Sequence, residues 1–352
     1  MDIIPLLDRI GEAPTAALFG LLTGVTFGVA AQRSRFCLRA AVVEFARGGM
    51  GASVAVWLLT FSTALVWVQA GALAGLIDTR EARMMAVTGS WSGAVIGGLM
   101  FGAGMVLARG CSGRLLVLAA TGNMRSLVSG LIFAVTAQMS ITGWLAPLRD
   151  RLAALAVTAG GHNLDLLTAL HLPRGAGLVT GLAIAALALT LARHNRIGAS
   201  RLIFASGVGF AVALGWALTS ALSRVAFDPV QVESASFTGP SASTLMFVLD
   251  RHAVLDFDIG LVPGVVLGAF AAAALTGELR LQGFDGPAPM RRALTGGALM
   301  GFGGMLAGGC AIGAGVTGGS IFAGTAWLAL FCMWLGGMAT ERALGQPTPL
   351  PA

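Results

Sequence analysis

The sequence is poor in charge and holds no lysine: 11 % of its 352 residues are charged, and all 22 basic residues are arginine. A chain so short of polar side chains cannot clothe a soluble domain of this length. Cysteine is scarce too. Cys37, Cys111, Cys310 and Cys332 are too few and too deep in apolar sequence for a secreted disulfide framework, so free thiols are expected. The four histidines, His162, His171, His194 and His252, fall in connections without metal-ligand spacing, and neither metal nor cofactor is expected. No nucleophile elbow and no Walker loop occurs. The pI near 10.7 comes without a basic-aromatic patch, so it does not point to nucleic acid. Met1 to Pro14, with Asp2, Asp8 and Glu12 and no basic run, does not read as a cleavable signal peptide.

What is abundant is apolar sequence, at 56 % hydrophobic residues and a mean hydropathy of +0.83, which predicts an all-α, polytopic protein of the lipid bilayer. A spanning helix takes about 20 apolar residues. Nine stretches meet that test: 14–31, 51–77, 90–108, 126–145, 175–192, 202–221, 256–276, 293–309 and 320–340. These spans hold almost no acids, which leaves few candidates for a proton relay. Arginine alternates between the two sets of connections, with fourteen on one side, among them Arg33, Arg35, Arg109, Arg114 and Arg342, and eight on the other, among them Arg9, Arg83, Arg149 and Arg174. The positive-inside rule then puts the N-terminus outside and the C-terminus in the cytoplasm.

Within this frame one unit occurs twice. Gly97 to Cys111 matches Gly296 to Cys310 at eight of fifteen positions, at a shift of 199 residues and without a gap. The first copy runs outside to inside and the second inside to outside, so the repeat is inverted, with one half over about 14–145 and the other over about 202–340 of a single transporter-like domain, 1–352. Inverted repeats place a substrate site near the midplane, where interrupted helices meet. Gly110, Gly113, Gly308, Gly309, Gly313 and Gly315 are expected to break the helices around each cysteine and form short re-entrant segments. Glycines at three- and four-residue spacing also serve helix packing alone. That does not explain why each copy ends in Gly-Cys. The connection 146–174 is the seam between halves, and Phe237-Thr238-Gly239-Pro240-Ser241 is a stretch able to dip back into the membrane.

Cys37 follows Arg33 and Arg35 and precedes Arg39, a setting that favours thiolate and attracts anions. The plain alternative is a small buried residue at an arginine-rich boundary. Arg109 and Arg114 flank Cys111, and both become glycine, Gly308 and Gly313, around Cys310. They either make one half of a path electropositive or anchor the helix end at the membrane surface. Cys332 has no such frame and reads as structural.

The stretches Gln32-Arg33-Ser34-Arg35-Phe36-Cys37, Ala108-Arg109-Gly110-Cys111-Ser112-Gly113 and Ala307-Gly308-Gly309-Cys310-Ala311-Ile312-Gly313 together resemble the YeeE/YedE family of bacterial inner-membrane proteins, across about residues 14 to 340. The resemblance implies an hourglass of helices whose central path is lined by three cysteines, matched here by Cys37, Cys111 and Cys310. It also implies uptake of thiosulfate or a related sulfur anion by transient thiol contacts, and a TusA-like cytosolic sulfur carrier as partner. It leaves open another sulfur or selenium species, a membrane sulfurtransferase, and a subunit that hands sulfur to a carrier. A thiol suits such a substrate, because sulfur is polarizable and a thiol can donate a hydrogen bond.

Overall fold

A computed structural model of the chain describes residues 4–173, 175–283 and 286–344. Asp2 and Arg174, named above, lie outside the described residues. All regular structure among the described residues is helical. The principal helices are α1 (Glu12–Ser34), α2 (Leu38–Ala46), α3 (Ala52–Leu73), α4 (Trp91–Leu107), α5 (Ser112–Ala120), α6 (Met124–Ile141), α7 (Ala176–His194), α8 (Ala199–Ser223), α9 (Thr238–Leu249), α10 (Phe257–Leu275), α11 (Pro287–Leu306) and α12 (Gly324–Leu344), with a π-helix over Ala311–Gly318 between the last two. Eight helical segments are long and apolar enough to cross a membrane. The ninth expected stretch, 320–340, is occupied by α12, whose last turns carry Glu341 and Arg342.

Three of the eight segments are interrupted helices: α1 followed by α2, α4 followed by α5, and α11 followed by the π-helix. Three of the long helices begin on side-chain caps. Ser90 accepts from the Gly93 N–H at 2.8 Å, Asn123 from Ser126 at 2.8 Å and Asp256 from Ile259 at 2.8 Å, each satisfying an N–H the first turn leaves free.

Packing follows the small residues. Gly20, Gly24 and Gly28 line one face of α1, and Gly260, Gly264 and Gly268 one face of α10. A Cβ on Gly24 would sit 2.2 Å from the Leu261 carbonyl oxygen, and one on Gly264 would sit 2.4 Å from that of Leu21. The two backbones therefore touch, which replaces the missing hydrophobic drive between helices in lipid with dispersion contacts. The expected packing role of glycine also holds for part of the repeated stretch, since Gly97 meets the Ala307 N–H and Gly296 meets that of Ala108, joining α4 to α11. At the periphery α7 turns Val179, Leu182, Leu187 and Leu189 outward, the surface a lipid-facing helix presents.

The bundle has two distinct ends. One carries the arginine-dense connections, where Asn195 donates to the Met50 carbonyl at 2.9 Å, Gln282 to that of Gly122 at 2.9 Å, and Arg47 pairs with Glu341 at 2.6 Å. The opposite end gathers the longer connections: Arg83 donates from its backbone to Val232 at 2.9 Å, Thr158 to Gly89 at 2.8 Å and Leu166 to Phe322 at 3.0 Å.

Candidate functional site

Cys37, Cys111 and Cys310 occupy the same local position. Each is the cap residue of the short helix after a break, preceding α2, α5 and the π-helix respectively. The breaks are made by left-handed residues, Arg35 (φ 54°), Arg109 (φ 59°) and the glycine pair Gly308 (φ 78°) and Gly309 (φ 158°). Free N–H groups and the positive end of the helix dipole are thereby directed at the thiols.

The segment around Cys111 dips into the bundle and leaves by the end it came from. Arg109 borders a small pocket with Arg292 and Glu341 at the arginine-dense end, and the carbonyls of Thr121 and Gly122 accept the backbone N–H groups of Arg280 and Gln282 there. The segment around Cys310 does the same from the opposite end. Its approach, Gly304 to Gly309, lines a cavity with Arg83 and Arg149, and Phe322 beyond it bonds Leu166. The starts of the two short helices converge: a Cβ on Gly113 would lie 3.7 Å from Ile312 and 3.1 Å from the ring of Phe237.

On one side of that convergence the thiol of Cys37 faces that of Cys111. The N–H groups of Cys111 and Ala40 are turned toward the Cys37 sulfur, and those of Leu38 and Arg114 toward the Cys111 sulfur. The Arg114 guanidinium is near enough for its charge to act on both thiols, and its Nη1 is buried with no hydrogen-bond partner. The hydroxyls of Ser34 and Ser112 are likewise buried and unpartnered. Polar groups buried this way normally find partners, so this pocket presents donors with an acceptor missing.

On the other side lies Cys310, fully buried, its sulfur accepting the Gly313 N–H at 3.4 Å. Next to it opens a cavity of about 340 Å³ bordered by Gly309, Gly313, Ser236, Thr238, Trp216, Asp258 and Glu233. Trp216 Nε1 and Thr238 Oγ1, both buried, have no hydrogen-bond partner. Glu233 pairs with Arg83 at 3.3 Å. Burial pushes the Glu233 carboxyl up to about 7 against the pull of Arg83, and burial likewise raises Asp256, the cap of α10.

The structure thus brings Cys37, Cys111, Arg114, Gly110, Cys310 and Gly309 to one buried region. The other sequence candidates are placed elsewhere: Arg33 lies over the ring of Phe204 at 5.3 Å, Arg35 pairs with Glu278 at 3.8 Å, and Arg109 faces the small pocket at the bundle end. Cys332 is buried against the close approach of Gly98 on α4. Sequence reasoning missed Trp216 and Asp258 as cavity residues. The stretch Phe237 to Ser241, able to dip back by its sequence, does go inside, since Phe237 and Thr238 are buried at the start of α9.

A polytopic membrane bundle with thiols at three helix breaks is the architecture these observations define, and the sequence profile of the sulphur transport family matches residues 33–339. The chain belongs to that family, the YeeE/YedE family its cysteine motifs resemble. It is 28 % identical over 336 residues to the thiosulfate transporter TsuA of Escherichia coli (strain K12), covering 91 % of this chain and 92 % of that one. It is also 27 % identical over 339 residues to the thiosulfate transporter TsuA of Spirochaeta thermophila (strain ATCC 700085 / DSM 6578 / Z-1203), covering 90 % and 96 %.

Proposed function

We propose that the chain carries thiosulfate, or a closely related sulfur oxyanion, across the bacterial inner membrane along a path from the cavity past Cys310 to the Cys111–Cys37 pair. The observation that carries this reading is the placement of all three thiols as caps of short helices after breaks in membrane-length segments. Near-full-length similarity to two thiosulfate transporters supplies the substrate class. In this reading the arginine-dense end faces the cytoplasm, the halves 14–145 and 202–340 are inverted repeats, and a TusA-like carrier receives the product.

The chemistry of the step is weak, repeated binding. N–H groups at the helix starts and the Arg114 guanidinium attract the oxyanion, while the thiols meet its soft sulfur and donate S–H hydrogen bonds. Neutral thiols hold the ion lightly enough to release it, as conduction requires.

The test is growth on thiosulfate as sole sulfur source, with uptake of thiosulfate labelled at its outer sulfur, in cells stripped of other sulfur importers. Cys37→Ala, Cys111→Ala and Cys310→Ala should each abolish both, and Cys332→Ala should abolish neither. Equal growth of all four variants would remove the thiols from the path. Labelled sulfur left covalently on a cysteine would point to a sulfurtransferase instead.

A further inference from the structure

Two carboxylates stand on the wall of the cavity that the proposed path gives to an anion. Asp258, in the first turn of α10, is 7 % exposed and makes no hydrogen bond or ion pair among the described residues. It looks across at the start of α9, where a Cβ on Gly239 would be 3.5 Å from its Oδ2. Glu233 reaches the same cavity from the connection before α9 and is taken up by Arg83 of the short helix Arg83–Ala86. The remaining charged groups near Asp258 are Arg149 of the helix Ala146–Ala153, on the cavity wall, and Asp256 at the cap of α10. Arg149 already pairs with Asp150 at 2.7 Å. Each guanidinium on the wall therefore has a carboxylate partner, and neither is committed to Asp258.

An ionised carboxylate buried without a partner is expensive, and one in a membrane-length helix marks an ion or proton route by default. A second observation says what else the cavity takes. The indole N–H of Trp216 only donates, and with the hydroxyl of Thr238 it is left without a partner, so both are open to an acceptor that a ligand brings. An oxyanion supplies acceptors, yet a dianion beside charged Asp258 meets like-charge repulsion in a medium of low dielectric.

We propose that this cavity binds the sulfur oxyanion together with a proton, carried by Asp258 and Glu233, so that passage of the anion is linked to proton uptake from that face. The inference rests on the transport reading above. The proton comes from solvent at the mouth, removes one negative charge from the wall, and turns a carboxylate that only accepts into a carboxyl that donates to the oxyanion. Linkage is reciprocal: the proton tightens the anion by the same factor as the anion tightens the proton. Glu233, held at about 7 by burial, has its proton available near neutral pH. The protonated form is the competent one, so uptake falls as pH rises through that value.

The experiment uses the full chain in phosphatidylethanolamine–phosphatidylglycerol vesicles, with the membrane potential clamped, labelled thiosulfate outside and a pH-sensitive dye inside. Uptake that falls about tenfold per unit above pH 7, together with thiosulfate-dependent acidification of the lumen, is the expected result. In Asp258→Asn combined with Glu233→Gln, the ratio of rates at pH 6 and pH 8 should drop toward one and the acidification should vanish. Thiosulfate uptake that is flat with pH and acidifies nothing in the unaltered chain would overturn the proton linkage while leaving transport standing. A double variant that keeps the full pH slope would overturn the assignment to these residues. Absence of thiosulfate uptake at every pH is a separate outcome, and it overturns the transport reading and the linkage with it. The dye signal is read on the unaltered chain, so a variant that inserts poorly does not decide the matter.

Discussion

Arg109 and Gly308 hold nearly the same backbone conformation, with φ of 59° and 78°, each two residues before a cysteine that starts a new helix. Around that shared turn the two junctions diverge. The one at Cys111 has a second thiol, Cys37, and the half-buried Arg114, with its Nη1 enclosed, whose counterpart is Gly313. At Cys310 no cation stands beside the thiol among the described residues; a cavity opens there, and Ser236 occupies the space a side chain on Gly313 would need. One backbone device, used at both ends of the bundle, thus carries a tight pocket with a guanidinium at one end and, at the other, a wider cavity whose wall holds the Glu233 and Asp258 carboxylates with Arg83 and Arg149. On the proposed path an anion moving from the second to the first leaves the carboxylates behind and meets the Arg114 guanidinium.

Three experiments sharpen or break that contrast. The largest effect is expected from Arg114→Gln, which replaces the guanidinium beside the thiol pair with a shorter, neutral amide. A hydrogen bond to a charged group contributes about 1.5–3 kcal/mol, so the half-saturating thiosulfate concentration should rise tenfold or more. Unchanged affinity would mean that the guanidinium only anchors the helix. Next is Gly313→Ala, where the added Cβ would lie 2.3 Å from the Ser236 hydroxyl oxygen. Overpacking of this kind costs about 1–3 kcal/mol, read as a lower unfolding temperature in detergent, and Ser236→Gly on the same background should restore it. The smallest is the exchange of turn residues. Gly308→Ala forces an L side chain into the left-handed region and should destabilise by about 1 kcal/mol, whereas Arg109→Gly relieves that strain and should change stability by less than about 1 kcal/mol. Equal and opposite shifts at the two sites would show that the turns are interchangeable. A large loss from Arg109→Gly would show that the side chain matters at the bundle end.

Much of this was legible in the sequence because it was written as repetition. The Gly-Cys pair recurring after 199 residues located two of the three junctions, and alternating arginine separated the ends on which they open. The positions of the arginine side chains were not legible, because proximity in sequence does not fix direction at a left-handed turn. Arg109 stands two residues from Cys111 yet points to a pocket at the bundle end, while Arg114, one turn into α5, lies near the thiols. Asp258 was hidden for a different reason. An acid near the predicted edge of a span reads as surface, and only the folding of α9 back against α10 shows it to be enclosed. The α1–α10 contact was invisible as well, since glycines four apart announce a close partner without naming which helix it is.

Phe237 stands between the two junctions, with no exposed surface. Its ring is held edge-on by Phe27 at 4.9 Å and lies close against Gly113. A fully buried aromatic ring set across the proposed path leaves no room for a chain of waters, so small ions are not expected to follow the anion. A cell can keep such a protein in an energised membrane without short-circuiting itself, and a resting ion current through bilayers holding the unaltered chain would contradict that.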